Sequence, residues 1–390
     1  MSILNLGTYP PKQCGIASFS KDLRDNLVEA GRKVHIAAIS DTEYSYAYPP
    51  EVMCEIHQDN VEDYLNAAHL VNSAGDIDVV VVQHEYGIFG GADGEYVLEF
   101  LSHLTKPYMV VAHTVLPHPS PGQKRVLREV TRKASAVICM TGRSARLMAK
   151  VYSVQPEKVY IIHHGVPVFQ EKDRGALKRQ YGFEGRQVIT TFGLIGPGKG
   201  LENGIKALAL IVDKHPDALY LIAGGTHPML LKREGEKYRE MLLELTARLG
   251  LENHVKFINR FLELDELGDF LYMTDVYLSP YPNRDQAVSG TLSYAIGCGR
   301  AIVSTPYEYA LEMLKEGHRG LLAPNARPEA IAELLDRVLS NPILKMRLEK
   351  VAHRLGRTIK WPYVAKQYAN LAERVAKTSL YGVKGQETAR

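Results

Sequence analysis

The sequence is poor in cysteine and carries little excess charge. Its 390 residues include four scattered cysteines, and no two of them form a C-x-x-C pair. This pattern argues against a structural zinc site and favours reduced thiols in the cytoplasm. The formal net charge of +3 is too small for a dedicated nucleic-acid-binding protein.

Long apolar runs are absent as well. The run at Ile3–Leu6 is far too short for the core of a signal peptide. No segment approaches the length of about 20 apolar residues that a transmembrane helix needs. With 45% hydrophobic and 23% charged residues, the composition is typical of a soluble globular protein. A chain of this length exceeds one ordinary core, so we expect two domains.

Short apolar runs alternate with amphipathic segments along the whole chain, which predicts βαβ units and parallel sheets. The rhythm breaks near residues 167–178. We therefore predict two Rossmann-like domains, residues 1–168 and 169–360, that face a central cleft. A last helix, at about 361–380, is expected to pack back on the first domain. The predicted strands lie at residues 2–6, 33–39, 78–83, 108–113, 136–140 and 159–163, and at 188–192, 219–223, 255–259, 276–280 and 301–305.

Two loops in the second half have the pattern of phosphate sites. Residues 279–305 predict a strand, a polar loop with Ser289-Gly290-Thr291, a helix and a second strand. Backbone N–H groups at a helix N-terminus bind anions. The earlier loop, FGLIGPGKG, carries Lys199, whose charge suits phosphate oxygens. Gly200 follows it where a P-loop has the Ser or Thr that holds Mg²⁺, so a GTPase or ATPase is disfavoured.

Candidate ligand residues also follow the strands of the first half. Gly15 closes the first such loop, where it would let a ligand approach the helix N-terminus. His84 and Glu85 follow the third predicted strand, and His113 ends the next one. Ligands of open parallel sheets bind at this edge, so the histidines could orient sugar hydroxyls or stabilise charge. Plain loop and structural roles are the alternative.

The segment Lys124–Lys150 is strongly basic. It contains eight lysines and arginines but a single acidic residue, Glu129. On amphipathic helices this could be a surface for a membrane or an acidic acceptor. The alternative is a solvated basic face.

The order of the motifs resembles that of the group 1 glycosyltransferases (glycosyltransferase family 4), a family of retaining enzymes with the GT-B fold. The resemblance covers nearly the whole chain, and six weak motifs in the right order make it specific. The matching segments are Pro10–Gly15, Ala134–Met140, Pro156–Val159 with His164–Val166, Gly198–Gly200, Leu221–Gly225, and Cys298-Gly299 with Ala301–Ser304.

The resemblance implies that a hexose, of the mannose or glucose type, moves from a nucleotide-diphospho-sugar to the hydroxyl of a carbohydrate or lipid-linked sugar acceptor. It implies no metal and no cofactor, because a lysine and a helix dipole stabilise the leaving diphosphate. His113, Lys199 and Asp285 would take part in catalysis. The expected donor-binding residues are Gly15, Gly198, Lys199, Gly224, Arg260, Phe261, Gln286, Ser289, Gly290, Thr291 and Tyr294. The expected acceptor-binding residues are His84, Glu85, Gly90, Gly91 and His118.

The sequence departs from the family pattern at three positions. The family's two glutamates fall on Gln286 and Tyr294, and its loop arginine falls on Leu194. Asp285 is the nearest carboxylate that could serve the reacting sugar. Two other interpretations therefore stay open. One is a phosphorylase of the same fold that binds orthophosphate at Lys199, and the other is a non-catalytic nucleotide-sugar binding protein.

Overall fold

The computed structural model describes residues 1–315 and 318–387. The chain forms two compact units. Unit 1 combines Met1–Gly165 with the segment that begins at Trp361, and unit 2 is Val166–Lys360. The division thus falls between Gly165 and Val166, whereas the sequence analysis placed it between residues 168 and 169.

Unit 1 is built on a parallel sheet of seven strands in the order β3-β2-β1-β4-β5-β6-β7. This is the order of a doubly wound α/β domain. The strands are β1 (Ser2–Gly7), β2 (Lys33–Ser40), β3 (Val52–His57), β4 (Val79–His84), β5 (Tyr108–Ala112), β6 (Ala136–Cys139) and β7 (Val159–Ile161). The helices of its first segment are α1 (Gly15–Glu29), α2 (Val61–Ser73), α3 (Val97–His103), α4 (Pro121–Arg132) and α5 (Gly142–Lys150).

Burial explains which of these elements the apolar pattern could predict. Strand β4 is buried along its whole length, as expected of a central parallel strand covered on both faces. Edge strand β3 is partly exposed at five of its six positions, and its mixed sequence gave no strand prediction. The amphipathic segment Asp93–Leu104 predicts a helix, but α3 begins only at Val97, because Asp93 has a φ of 57°, which is incompatible with a helix.

Unit 2 contains a six-stranded parallel sheet in the order β10-β9-β8-β11-β12-β13. Its strands are β8 (Gln187–Phe192), β9 (Ala218–Ala223), β10 (Val255–Ile258), β11 (Val276–Ser279), β12 (Ala301–Ser304) and β13 (Leu321–Leu322). Its helices are α6 (Arg174–Gln180), α7 (Leu201–Ala209), α8 (Pro228–Glu234), α9 (Lys237–Arg248), α10 (Leu264–Met273), α11 (Gly290–Gly297), α12 (Glu308–Ala310), α13 (Pro328–Leu339) and α14 (Pro342–Gly356). The predicted α/β class with two parallel-sheet domains is confirmed.

The last helix, α15 (Trp361–Glu387), belongs to unit 1 and packs on α1. Trp361 is 1% exposed, and its indole Nε1–H donates to the Asp22 carboxylate at 3.0 Å. Its ring meets Phe19 edge-on with centroids 5.0 Å apart. In the described part of the chain, no helix is long and apolar enough to cross a membrane.

Candidate functional site

Two loops meet at the carboxyl end of the unit 2 sheet, the edge where such sheets bind ligands. The first runs from β8 to α7 and ends in a short helical turn, Pro197–Lys199. Gly200, with a φ of 60°, follows this turn, and a Cβ there would lie 2.4 Å from the Pro280 carbonyl oxygen of the second loop. A glycine is therefore required at the point where the two loops touch.

A chain of hydrogen bonds joins the two loops. The Lys199 ammonium donates to the Tyr281 hydroxyl at 2.8 Å and lies 4.4 Å from the centre of that ring. The Tyr281 hydroxyl also hydrogen-bonds the Thr291 hydroxyl at 2.8 Å. Ser289 lies 3.2 Å from Thr291 through its hydroxyl and caps α11 by accepting from the Leu292 N–H. We call Lys199, Tyr281, Ser289 and Thr291 the phosphate network.

The phosphate network is positively charged, and its residues are buried (Tyr281 and Ser289) or half-buried (Lys199 and Thr291). Burial acts to raise the pKa of the Tyr281 hydroxyl. The charge of Lys199 and the hydrogen bonds made to the Tyr281 hydroxyl outweigh burial, so this pKa is lowered overall. A half-buried cation beside the N-terminus of a helix favours an anionic ligand. The predicted residues Lys199, Ser289 and Thr291 are therefore brought together by the fold.

Tyr281 and His227 were missed by the sequence analysis. Tyr281 follows Pro280 just beyond β11, and its place at the carboxyl end of a strand was the available signal. His227 caps α8, and its backbone N–H donates to the Ile195 carbonyl of the lysine loop at 2.9 Å. Burial, and then the charge of Lys199, lowers the pKa of the His227 imidazole, which places it electrostatically beside the phosphate network.

Gly224 fixes the spacing between the lysine loop and the turn after β9. Its φ is 147°, and a Cβ there would lie 2.0 Å from the Gly193 carbonyl oxygen. The buried guanidinium of Arg239 holds this turn by donating to the Gly224 carbonyl at 2.8 Å. Gly224 therefore shapes the site through backbone packing.

Arg260 and Phe261, two of the expected donor-binding residues, lie next to this turn. A Cβ on Gly225 would be 3.7 Å from the Phe261 backbone nitrogen. The Phe261 side chain is 54% exposed, so its ring is available to a planar ligand. Arg260 instead forms an exposed two-pronged ion pair with Glu266, with N–O distances of 2.6 and 2.5 Å.

The positions of the missing glutamates are occupied differently. Tyr294 stacks on Phe192 with centroids 6.1 Å apart and meets Phe169 edge-on at 5.9 Å. The Gln286 amide donates to the Val288 carbonyl at 2.7 Å and so shapes the loop before α11. Asp285 is partly exposed.

The other glycines that were expected to bind the donor sugar nucleotide lie at or just before the starts of helices. Gly290 begins α11, and Gly198 lies in the short turn that precedes α7, where a Cβ would meet nothing within 4 Å. In unit 1, Gly15 begins α1 and also has open space around it. Gly198 and Gly15 therefore leave room for a ligand.

His113 is 5% exposed in unit 1. Its Nε2 lies 2.8 Å from the Gln83 amide oxygen, which fixes the ring. Phe19 meets it edge-on with centroids 4.8 Å apart. Burial, together with His164 and His84, lowers the pKa of His113 to about 3. The imidazole is therefore neutral at physiological pH and can orient a hydroxyl group without carrying charge.

The expected acceptor residues around Gly90 are mostly packed into unit 1. His84 is fully buried between Tyr86 and Phe89, which does not fit a contact with an acceptor. A Cβ on Gly90 would lie 1.9 Å from the Gln58 carbonyl oxygen, so tight packing requires this glycine. Gly91 adopts a φ of 78° and packs against Tyr96.

Glu85 and His118 differ in exposure. The Glu85 carboxylate accepts from the Thr114 hydroxyl at 2.5 Å and from the Tyr86 N–H at 3.0 Å. Burial raises the pKa of Glu85 despite these bonds. His118 is exposed on the loop before α4. Of the predicted acceptor residues, His118 is therefore the one whose side chain is presented to solvent.

Two family models match the chain one after the other. The model of glycosyltransferase family 4 matches residues 14–168, and that of the group 1 glycosyl transferases matches residues 173–355. Between them they span most of both units. The chain belongs to the group 1 glycosyltransferases. The family predicted from the motif order is thereby confirmed.

This group 1 glycosyltransferase has curated relatives at low identity. It is 26% identical to a D-inositol 3-phosphate glycosyltransferase of Jonesia denitrificans, over 66% of this chain and 61% of that protein. It is also 26% identical to an alpha-D-kanosaminyltransferase of Streptomyces kanamyceticus, over 60% of this chain and 58% of that protein. The chain thus spans about three fifths of the length of these relatives.

Solved structures share the fold of this group 1 glycosyltransferase. Sucrose-phosphate synthase from Thermosynechococcus elongatus superimposes with a TM-score of 0.79 at 16% identity, covering 97% of this chain and 100% of that one. Anabaena HepE, in complex with UDP, gives 0.77 at 18% identity, with 96% and 100% covered. These similarities confirm a GT-B fold with two Rossmann-like domains.

Proposed function

We propose that the protein is a retaining glycosyltransferase that moves a hexose, of the glucose or mannose type, from a nucleotide-diphospho-sugar to a hydroxyl acceptor. The observation that carries this proposal is the phosphate network at the N-terminus of α11. It offers one ammonium group, three hydroxyls and the first N–H groups of the helix within one small region. This is the set of donors that a diphosphate requires.

The diphosphate would replace Tyr281 as the partner of Lys199. In the structure the lysine donates to a neutral hydroxyl, which a charged phosphate oxygen would outcompete because charge-assisted hydrogen bonds are stronger. The phenol would then be free to donate to the same ligand. As the bond between sugar and phosphate breaks, negative charge grows on the diphosphate, and these groups stabilise it. We accordingly propose a reaction that needs no metal.

The named ligands of the structural neighbours support a uridine nucleotide as the first candidate. HepE structures contain UDP, UDP with glucose, and UDP-glucose. For this chain the base would stack near the exposed ring of Phe261. Tyr294, packed against Phe192, would take the ribose in place of a glutamate, and Asp285 would lie nearest the transferred sugar.

Retention would follow from departure and attack on one face of the sugar. The leaving diphosphate stays held by Lys199, and the acceptor hydroxyl approaches from the same side. A neutral His113 would orient a sugar hydroxyl by hydrogen bonding, since its lowered pKa of about 3 excludes an acid role at neutral pH.

The absence of the family glutamate at Tyr294, where the ribose would bind, favours a second candidate, a phosphorylase that binds orthophosphate at the phosphate network. A thermal-shift comparison of UDP, GDP, ADP, dTDP and orthophosphate separates the two, because a ligand of the folded state raises its apparent stability. A shift with one nucleoside diphosphate supports the transferase and identifies the donor to test, with and without EDTA. A shift with orthophosphate alone supports the phosphorylase. A protein that binds but never turns over any donor is the non-catalytic alternative.

We also propose that the basic segment Lys124–Lys150 contacts anionic membrane or an acidic acceptor. Most of its cations are exposed on α4 and α5. Arg125 pairs with Glu95, and Arg132 pairs with Glu129 at 2.8 Å, so part of the charge is compensated. Binding to vesicles that contain phosphatidylserine should therefore be measurable at low salt and fall steeply as salt rises. Absence of binding at low salt would leave a solvated face.

A further inference from the structure

Three tyrosines form an aromatic surface in unit 1 that the site above does not use. Tyr44, Tyr46 and Tyr48 alternate along the loop after β2, and we call them the tyrosine row. The ring centroids of Tyr44 and Tyr46 are 6.2 Å apart, and those of Tyr46 and Tyr48 are 5.6 Å apart. Tyr44 is 43% exposed, and the other two are partly exposed. The rings thus follow one another along the surface.

Hydrogen bonds hold two rings of the row in place. The Tyr46 hydroxyl donates to the Asp41 carboxylate at 3.0 Å, and the Tyr48 hydroxyl bonds the Ser40 hydroxyl at 2.7 Å. These anchors lie at the end of β2 or directly after it. The loop therefore presents rings whose orientation is fixed in advance, which lowers the entropy that a ligand must overcome.

The row adjoins a loop that was predicted to bind a ligand. Lys12, in the loop between β1 and α1, forms an ion pair with Asp41 at 3.2 Å. Tyr9 in the same loop donates to Glu51 at 2.9 Å, just after the tyrosines. Both loops follow adjacent parallel strands, β1 and β2, so the row lies at the carboxyl edge of the sheet, where α/β domains bind ligands.

The combination of ring faces and charged hydrogen-bonding groups identifies the ligand chemistry. A tyrosine ring has an apolar face and a polar tip. A pyranose ring also has an apolar face of C–H groups, with hydroxyls around its edge that need donors and acceptors such as Lys12 and Asp41. The ring separations in the row are comparable with those between neighbouring sugars of a glycan. A lipid surface does not fit, because it offers no hydrogen-bonding partner for the fixed carboxylate of Asp41 beside the rings.

We propose that the tyrosine row binds the acceptor of the reaction and that this acceptor is a glycan of at least two sugar rings. The inference rests on the proposed transferase function. It narrows the range of acceptors, because a single sugar phosphate would cover one tyrosine ring of the row and leave the other two without a contact.

Affinity electrophoresis of the full chain in gels with maltotetraose, cellotetraose or α-mannotetraose conjugated to the matrix tests this proposal. Tyr44→Ala should weaken retardation by the bound glycan about tenfold. Tyr44→Phe keeps the ring face, so this variant should retain most of the retardation by the glycan. Tyr363→Ala is the matched control, since Tyr363 is 61% exposed on α15 and should leave binding unchanged.

Nucleoside diphosphate affinity, measured on the same variants, separates this proposal from the proposed function. Normal nucleotide binding with no glycan retardation of the wild type would overturn the tyrosine row as an acceptor site and leave the transferase intact. Equal glycan binding by wild type and Tyr44→Ala would overturn it as well. If the wild type binds no nucleoside diphosphate, the donor assignment is overturned instead.

Discussion

Lys199 supplies the one full positive charge of the phosphate network. Lys199→Ala should weaken nucleoside diphosphate binding by about 1.5–3 kcal/mol, the contribution of a hydrogen bond to a charged group. Isothermal titration with the diphosphate chosen by the thermal-shift comparison measures this. Lys206→Ala is the control, because Lys206 is exposed on the neighbouring helix α7. Equal affinities for wild type and Lys199→Ala would remove the lysine from the site.

Tyr281 connects Lys199 to Thr291, so its hydroxyl orients both groups. Tyr281→Phe keeps the ring, which stacks on Tyr307 with centroids 5.3 Å apart, and removes the hydroxyl alone. We expect diphosphate binding to weaken by about 0.5–1.5 kcal/mol, with little change in thermal stability. A double-mutant cycle with Lys199→Ala should show a coupling energy, because the two residues share one network. Strictly additive effects would show that Tyr281 is only a neighbour.

The predictability of the site residues depends on the length of chain that separates them. Lys199 and Ser289–Thr291 were found from local patterns, a glycine loop and a helix cap. Tyr281 was missed because its partner Lys199 is 82 residues away in sequence. His84 was expected in a site because it follows a predicted strand, but its side chain is fully buried in the core. Strand position alone does not determine side-chain exposure.

At the scale of elements, Asp275 ties together four segments of unit 2. Its carboxylate accepts from Lys178 of α6 at 2.5 Å, from Lys345 of α14 at 2.9 Å, and from the Val188 N–H of β8 at 2.8 Å. Asp275 itself lies just before β11. Burial raises the pKa of this carboxyl group, but the two lysines lower it more, and the net shift is downward.

This lowered pKa predicts how the stability of unit 2 changes with pH. A carboxyl group with a lower pKa in the folded state stabilises the fold above the ordinary aspartate value of about 3.9 and loses that effect as the pH falls through the folded-state pKa. Asp275→Asn should cost about 3 kcal/mol at neutral pH, since it breaks a buried ion pair, and should flatten the acid part of the stability curve. Urea unfolding between pH 3 and 7 measures both effects. A parallel downward shift of the curve, with its acid slope intact, would assign the pH dependence to other carboxylates.

Elements were predictable where burial is uniform. The strands β8, β11 and β12 match the alternation in the sequence because both of their faces are covered. The helix α11 matches it because Ser289 caps its N-terminus. Strand β3 was missed since it is a partly exposed edge strand. The start of α3 was placed too early, because Asp93 lies in a left-handed conformation that composition does not reveal.

At the scale of the molecule, unit 1 is assembled from two distant parts of the chain. Trp361 begins the returning segment and lies against Phe19 and His164. A Cβ on Gly165 would come within 2.2 Å of the Trp361 ring, so the end of the first segment and the start of the last are in close contact. The sequence predicted this helix and its packing on the first domain, but periodicity does not reveal which residues it contacts, because these depend on three-dimensional packing.

Trp361 should therefore stabilise unit 1 specifically. Trp361→Ala removes a fully buried indole and its hydrogen bond to Asp22, which should cost about 3–5 kcal/mol of the free energy of unfolding. Urea unfolding followed by circular dichroism measures the loss, and Tyr363→Ala, two residues further along α15 and 61% exposed, is the control that should stay within about 0.5 kcal/mol of wild type. Nucleoside diphosphate affinity should be unchanged at low urea, because every residue of the phosphate network belongs to unit 2. Reduced nucleotide affinity in a variant of undiminished stability would contradict this, since it would place Trp361 in the donor site rather than in the packing of α15.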